Sequence, residues 1–361
     1  MPQGKWFRFG YGIVLVLLII YLGSLVDWIF RPIVVFVQTL FAPVIIAGIL
    51  YYLFRPIVGL LSKKMNRGLS ILILFLMIIG AFTAFSLIVG PELQRQFQSL
   101  YNNLPTLINQ VRDTFIALQS NELFNRFQES ETFQPEEMIS RFVNSLNDII
   151  GTIGANITGF IGALANFFII LVLVPFILFY LLKEGEKLPV QLLKLFNKKQ
   201  QHEGRLILAD MDKMLSSYIQ GQIIVSFCVG ILCYIAYLII GLDYALILAL
   251  VAMFTNVIPF VGPWIGTFPA VIVAFIDSPL TALIVVIVVV VIQQIESNLI
   301  SPQVMGKKLA IHPITIIFIL LVAGRFAGVV GMLLAVPTYA VGKVIVTHSY
   351  RLWKLRKQPV E

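Results

Sequence analysis

Charged residues are scarce in this chain of 361 residues. Only 12% of the residues are Asp, Glu, Lys or Arg, whereas 59% are hydrophobic. A soluble domain carries about 25% charged residues, so the composition excludes an ordinary soluble protein and predicts an all-α polytopic membrane protein. The net charge of +8 does not indicate nucleic-acid binding, because the basic residues fall in short loops and tails, where they orient a membrane protein.

Cysteine and histidine are also rare, with two and three residues respectively. Cys228 and Cys233 lie inside one apolar segment, which predicts buried small side chains rather than a disulfide framework. His202, His312 and His348 are far apart and match no metal-ligand spacing. We therefore expect no metal site.

Enzyme motifs are missing from the chain. The sequence contains no Walker A phosphate loop, no dinucleotide-binding glycine fingerprint and no paired histidine ligands. We therefore expect neither enzymatic activity nor a cofactor. Any transport by this chain alone should be secondary or passive rather than driven by ATP.

Long apolar runs dominate what is present. A helix needs about 20 apolar residues to cross a bilayer. Six runs are candidate spans, of which the last is the shortest: 11–30, 33–54, 69–89, 153–182, 216–240 and 280–295. Two longer runs, 244–276 and 311–346, are interrupted. Each predicts a helical hairpin or a pair of helices with a break, so we expect about eight membrane helices, some of them broken.

The interruption of run 244–276 is the most informative feature. The segment Ile258-Pro-Phe-Val-Gly-Pro-Trp-Ile-Gly266 contains Pro259, Gly262, Pro263 and Gly266, which disfavour a continuous helix. Irregular backbone at membrane depth persists only where it is buried in protein or lines a cavity. Transporters build substrate and ion sites from such breaks, so the segment favours transport over simple anchoring.

Basic residues indicate the orientation of the chain. They gather in five places, near 5–8, 63–67, 183–213, 307–308 and 351–357. All five lie in the cytoplasm if both termini are cytoplasmic and each interrupted run enters and leaves on one side. The acidic, amphipathic region 91–150 then lies outside, as an extracytoplasmic helical insertion. It could serve as a cap or oligomer surface, or simply pack on the membrane domain.

These patterns divide the chain into six regions. We expect N-terminal membrane helices in 1–90, the extracytoplasmic segment in 91–150, a membrane helix in 151–182, a cytoplasmic helical linker in 183–215, a translocation unit with broken helices in 216–346 and a basic cytoplasmic tail in 347–361.

Two charged residues stand within or beside apolar stretches, where charge is costly and often functional. Glu296 ends a very apolar helix and could bind Na⁺ or carry a proton; it could also pair with Lys307 or Lys308 at the membrane interface. Arg325 lies where the second interrupted run could turn. It could meet Glu296 or an anionic substrate, or extend to the interface.

Three uncharged side-chain amides are further candidates, because they could bind a solute through hydrogen bonds. Gln220 and Gln222 flank Gly221 at the start of a membrane span, where they could bind a polar solute or another helix. Asn256 precedes Pro259 and could supply a ligand where the helix opens.

Five ordered motifs carry a family resemblance. They are Tyr218-Ile-Gln-Gly-Gln222, the segment 258–266, Glu296-Ser-Asn-Leu-Ile-Ser-Pro-Gln-Val-Met-Gly306, Leu309-Ala-Ile-His-Pro313 and Gly328-Val-Val-Gly-Met-Leu-Leu-Ala-Val-Pro337. Together they resemble the AI-2E family of bacterial transporters over essentially the whole chain. The resemblance implies about eight membrane helices, homo-oligomers, and secondary transport or export across the bacterial plasma membrane.

The resemblance leaves the substrate open. Family members are linked to release of autoinducer-2, and others to Na⁺(Li⁺)/H⁺ antiport. Antiport needs an embedded carboxylate, for which Glu296 is the candidate, whereas export of a neutral polyol needs amides such as Gln220, Gln222 and Asn256. A non-transporting scaffold or sensor is a third possibility, although it has little need for the Pro/Gly break. We expect a return loop shaped by Ser301, Pro302, Gly306 and Pro313.

Overall fold

The computed structural model describes residues 4–25, 27–119, 157–194, 198–305 and 311–357. Within these ranges every regular element is helical, which confirms the predicted fold class. The α-helices are α1 (Lys5–Leu25), α2 (Asp27–Leu61), α3 (Arg67–Ile88), α4 (Gly90–Gln119), α5 (Ile157–Glu184), α6 (Leu188–Leu193), α7 (Lys198–Ile240), α8 (Ala245–Thr255), α9 (Val261–Asp277), α10 (Pro279–Ile295), α11 (Ser301–Met305) and α12 (Pro313–Lys357). A 3₁₀ turn (Gly185–Lys187) follows α5, and a π-helical turn (Glu296–Ile300) joins α10 to α11.

Five helices in the described part of the chain are long and apolar enough to cross a membrane. They are Arg31–Leu61, Arg67–Ile88, Gln201–Ile240, Pro279–Met305 and Pro313–His348, the last of which is interrupted at Ala327 and Gly328. Phe9–Ile19, Ala245–Thr255 and Val261–Asp277 are shorter apolar helices. A multi-pass membrane protein with both long and short apolar helices is therefore the observed architecture.

An N-terminal cluster joins α2, α3 and α5. Its fully buried members include Ala47, Val58, Ile71, Leu74 and Leu182. Helix α3 begins at Arg67 because the Asn66 side chain accepts a hydrogen bond from the Leu69 amide at 2.8 Å, which satisfies one of the free N–H groups of the first turn.

A second cluster joins α7, α8, α9 and α10. On α7, Val225, Val229, Cys233 and Tyr237 recur every four residues and are all buried, so they share one face. Cys233 is buried as predicted, but Cys228 is only half-buried. Five residues along a helix correspond to about 500° of rotation, which turns Cys228 well away from the buried face.

Helix α7 does not stop at the boundary that we predict between 215 and 216. It runs unbroken for 43 residues, about 65 Å at 1.5 Å per residue. Hydropathy marks where a segment becomes apolar, but backbone hydrogen bonds continue through polar residues, so linker and span form one helix.

Helix α4 covers the described part of the predicted extracytoplasmic segment. Its Gln96 side chain accepts a hydrogen bond from the Ile247 amide at 3.3 Å, and Asn103 donates to the Tyr244 hydroxyl at 3.1 Å. The Ile247 amide lies in the first turn of α8, where no intrahelical acceptor exists. These bonds hold α4 against the start of α8.

Helix α12 contains the second predicted interruption. Ala327 and Gly328 leave helical geometry, with φ of +57° at Gly328. A Cβ atom on Gly331 would collide with the carbonyl oxygen of Ala323. Residues eight apart in a continuous helix are about 12 Å apart, so this contact shows that the chain reverses here into a hairpin.

Candidate functional site

The candidate site is built around the break between α8 and α9, at residues 256–260. The break follows the prediction, but its position differs. Pro259 lies within it, whereas Gly262 and Pro263 lie in the first turn of α9 and Gly266 lies one turn further along. Proline is tolerated in the first turn of a helix, where its missing N–H would have no intrahelical acceptor, so α9 begins before Pro263.

Glycine lets the two short helices approach closely. A Cβ atom on Gly262 would collide with the Thr255 carbonyl oxygen, and one on Gly266 would lie 2.7 Å from Cα of Ala252. Helix α8 has 11 residues, about 16 Å, which is well short of the roughly 30 Å hydrocarbon core. The pair therefore forms a tight hairpin with the break at its turn.

Gln222 ties α7 to this turn. Its side-chain nitrogen donates a 2.7 Å hydrogen bond to the carbonyl oxygen of Asn256, and both residues are buried. Asn256 directly follows α8, so its carbonyl oxygen accepts no hydrogen bond from an amide of that helix. Gln222 thus satisfies a backbone group that the break leaves free.

Two buried polar atoms beside this link have no hydrogen-bond partner among the described residues. They are the side-chain nitrogen of Asn256 and the hydroxyl of Ser226, and both residues are only 2% exposed. Ser226 lies one turn beyond Gln222 on α7, about 6 Å along the axis. Each unsatisfied buried group costs about 1–3 kcal/mol, a cost that a polar ligand would remove.

Gln220 does not join this group. Its side-chain nitrogen donates to the carbonyl oxygen of Tyr52 at 2.7 Å and to the hydroxyl of Ser216 at 2.8 Å. Two residues along a helix are rotated by about 200°, so Gln220 and Gln222 face different neighbours. The structure places Gln222 and Asn256 together and directs Gln220 toward α2.

Glu296 lies at the junction of α10 and the π turn and is partly buried. No ion pair to it occurs within the described ranges, and Lys307 and Lys308 fall outside them. Those ranges also contain no cluster of three His, Cys, Asp or Glu side chains that could hold a metal ion. Among the described residues, Glu296 is therefore a single carboxylate rather than part of an acidic cluster.

The residues that we expect to shape a return loop fall in different places. Ser301 and Pro302 are helical residues of α11, Gly306 lies outside the described residues, and Pro313 begins α12. The Ser301 amide bonds to the carbonyl of Glu296, five residues earlier. This wide turn lets the helix continue, because it relieves the clash between a proline ring and the carbonyl four residues before it.

Arg325 occupies an exposed position just before the reversal of α12. Its neighbour Phe326 is 86% exposed. The described part of the chain contains no ion pair between Arg325 and Glu296, so the structure does not bring these two charges together.

The structure contains two ion pairs that the sequence does not predict. Arg55 on α2 binds both carboxylate oxygens of Asp212 on α7, at 2.8 and 2.7 Å. Arg67 on α3 binds both oxygens of Glu186, at 2.9 and 2.8 Å, and donates from Nε to the Leu182 carbonyl. The hydrogen bond from Arg67 lowers the pKa of Glu186 below its ordinary value. In the sequence, the one feature that points to these ion pairs is Arg55, a charged residue at the end of an apolar run.

Comparisons with known proteins agree with this architecture. The family described as "AI-2E family transporter" matches residues 13–351. The candidate transport protein YueF of Bacillus subtilis (strain 168) is 43% identical over 346 residues, covering 96% of this chain and 94% of the relative. The candidate transport protein YrrI of the same organism is 33% identical over 348 residues, covering 94% and 95%. The candidate permease PerM of Escherichia coli (strain K12) is 25% identical over 321 residues, covering 88% and 89%.

Proposed function

Because the chain belongs to the AI-2E family of transporters, we propose that it moves a small polar solute across the bacterial plasma membrane by secondary transport. The path runs through the translocation unit 216–346, and the solute is bound at the α8–α9 break. The observation that carries this proposal is the pair of buried, unpartnered polar atoms on Ser226 and Asn256. Both termini are cytoplasmic in this proposal, and the assembly is a homo-oligomer.

The chemistry of the two atoms favours a solute that bears oxygen. The Asn256 side-chain nitrogen is a hydrogen-bond donor, and the Ser226 hydroxyl can donate or accept. A hydroxyl or carbonyl oxygen on the solute would satisfy both groups, whereas a metal cation could bind the Ser226 oxygen but would leave the Asn256 N–H donors unsatisfied. This supports a polar organic solute over Na⁺ at the break.

Efflux of autoinducer-2 from cells that express the protein tests the proposal. Asn256→Ala and Ser226→Ala remove the proposed ligand groups, and we expect each to reduce the initial efflux rate at least tenfold. Asn102→Ala and Ser62→Ala are matched controls, because Asn102 is an exposed residue of α4 and Ser62 directly follows α2, away from the break. Equal efflux rates in all four variants would show that the solute does not bind at the α8–α9 break.

Cation/proton antiport is the second candidate, and the partial burial of Glu296 at the end of α10 favours it. The test is proton flux in proteoliposomes after Na⁺ or Li⁺ is added across a pH gradient. Antiport through Glu296 requires that Glu296→Gln abolish the flux while Glu184→Gln, at an exposed carboxylate, retains it. No cation-dependent flux from the folded wild-type protein would dismiss this candidate.

A further inference from the structure

The hydroxyl of Tyr237 is a third buried polar atom without a hydrogen-bond partner among the described residues, in addition to those of Ser226 and Asn256. Tyr237 is 0% exposed. The thiol of Cys233, one turn earlier on α7, lies beside this hydroxyl, but a thiol is only a weak donor and a weak acceptor. The burial of the hydroxyl is therefore a cost that the protein's own side chains do not offset.

Tyr237 and Ser226 lie on the same face of α7. Eleven residues separate them in sequence, which corresponds to three full turns plus about 20°, and to about 16 Å along the helix axis. Cys233 lies between them on this face, and Gln222 lies one turn before Ser226. Polar groups thus follow one face of α7 from the α8–α9 break toward the end of the helix at Ile240.

The surface that covers this face contains many small side chains. Six alanines from α8, α9 and α10 are buried in the same cluster as Tyr237, namely Ala245, Ala249, Ala252, Ala270, Ala274 and Ala282. Because the free energy of burial scales with apolar area, separating α7 from alanine methyl groups costs less than separating it from larger side chains. The covering helices can therefore expose the polar face at a modest cost.

We propose that this face of α7 is the path of the solute between the α8–α9 break and the end of α7, with the Tyr237 hydroxyl as a second solute-binding group. The inference rests on the proposed function, because it extends the same path. A phenolic hydroxyl can donate to or accept from an oxygen of the solute, which matches the chemistry of Ser226. The path is closed in this structure, where Tyr237 is fully buried, and it opens when the α8–α9 hairpin separates from α7.

The reactivity of Cys233 tests the path without knowledge of the solute. The full-length protein in proteoliposomes is treated with a small, water-soluble methanethiosulfonate, once as Cys228→Ser and once as Cys233→Ser, so that one thiol remains in each variant. Burial alone predicts faster labelling of Cys228, which is half-buried, than of Cys233, which is 2% exposed. A path that admits water reverses this order, and we expect Cys233 to react about tenfold faster because thiol reactivity requires solvent access.

The variant Tyr237→Phe tests the hydroxyl as a binding group, because it removes that group alone. We expect the initial rate of autoinducer-2 efflux to fall about fivefold, as loss of one hydrogen bond predicts. We expect Tm to stay the same or rise, because an unsatisfied buried group disappears. Tyr180→Phe removes the same group from an exposed residue of α5 and should change neither the efflux rate nor Tm.

Four outcomes would overturn the proposal. Labelling of Cys233 that is no faster than that of Cys228 would do so whatever solute is transported. A lower Tm in Tyr237→Phe would do so by giving the hydroxyl a structural role. A normal efflux rate in Tyr237→Phe, together with a reduced rate in Asn256→Ala, would overturn this inference and leave the proposed function intact. Normal rates in both variants would overturn the two together.

Discussion

The side-chain amide of Gln222 donates a 2.7 Å hydrogen bond to the backbone carbonyl of Asn256. The bond joins the middle of α7, a helix of 43 residues, to the turn of a hairpin too short to cross a membrane. Both residues are buried. If the bond were lost, the Asn256 carbonyl would stay unsatisfied, because water would not reach it to replace the amide.

Replacing Gln222 with Leu should destabilise the protein. The substitution keeps a similar volume but leaves the Asn256 carbonyl unsatisfied, which costs about 1–3 kcal/mol. Unfolding titrations of the purified protein measure the effect. Gln191→Leu, at an exposed position on α6, is the control and should lie within about 0.5 kcal/mol of wild type. Equal stabilities of the two variants would show that the bond contributes nothing.

Replacing Gly262 with Ala should disrupt the hairpin. The new methyl group would overlap the Thr255 carbonyl oxygen, and overpacking of this kind costs about 1–3 kcal/mol. Gly59→Ala provides the contrast, because no atom apart from its chain neighbours and its own helix backbone lies within 4 Å of the added carbon, and alanine favours the helix by up to about 1 kcal/mol. Size-exclusion profiles and melting temperatures should differ between Gly262→Ala and Gly59→Ala, with the lower melting temperature for Gly262→Ala. A normal melting temperature for Gly262→Ala would contradict the close approach of α8 and α9.

Breaking the Arg55–Asp212 ion pair should loosen the contact between α2 and α7. Both side chains are about one-third exposed, so solvent screening limits the expected coupling to about 1 kcal/mol in a double-mutant cycle. The cycle uses Arg55→Ala, Asp212→Ala and the double variant. The exposed Glu92–Arg95 pair within α4 is the control, and its coupling should be smaller. A larger coupling at Glu92–Arg95 would argue against a special role for Arg55.

Stability should depend on pH through Glu186. The Arg67 hydrogen bond lowers the pKa of Glu186 in the folded protein, so the pair contributes fully above the unfolded pKa of about 4.3. The contribution is lost as pH falls through the folded pKa, where the carboxylate takes up a proton. Because Glu186 is more than half exposed, we expect the effect to remain below about 1 kcal/mol.

The comparison between wild type and Glu186→Gln isolates this contribution. The difference in melting temperature should be largest near pH 6 and shrink toward pH 3. A difference that stays constant over this range would assign the effect of the substitution to packing rather than to charge.

The sequence predicts the helix break well but its position less well. Pro259, Gly262 and Pro263 correctly mark a discontinuity, yet the pattern alone does not say which proline ends one helix and which stands in the first turn of the next. That choice depends on the close contact of α8 with α9, which is tertiary. The same limit applies to Pro302, which the helix accommodates by widening its turn.

Contacts between distant residues are the least predictable part. Arg55 and Asp212 are 157 positions apart, and Arg67 and Glu186 are 119 apart. Nothing in the local pattern relates the members of either pair, because their approach follows from how α2 packs against α7 and how α3 packs against α5. The separation of Gln220 from Gln222 is different, since helical rotation alone predicts it.

Because α7 is one unbroken helix, a small tilt at one point along it would displace its distant end. Gln222 lies 24 residues from the start of the helix at Lys198, or about 36 Å. A tilt of about 10° around Gln222 would carry that end by about 6 Å, while Asp212, about 15 Å from the pivot, would move by between 2 and 3 Å. A shift of that size exceeds the tolerance of a 2.7 Å hydrogen bond, so a tilt of α7 around Gln222 would also break the hydrogen bonds between Arg55 and Asp212.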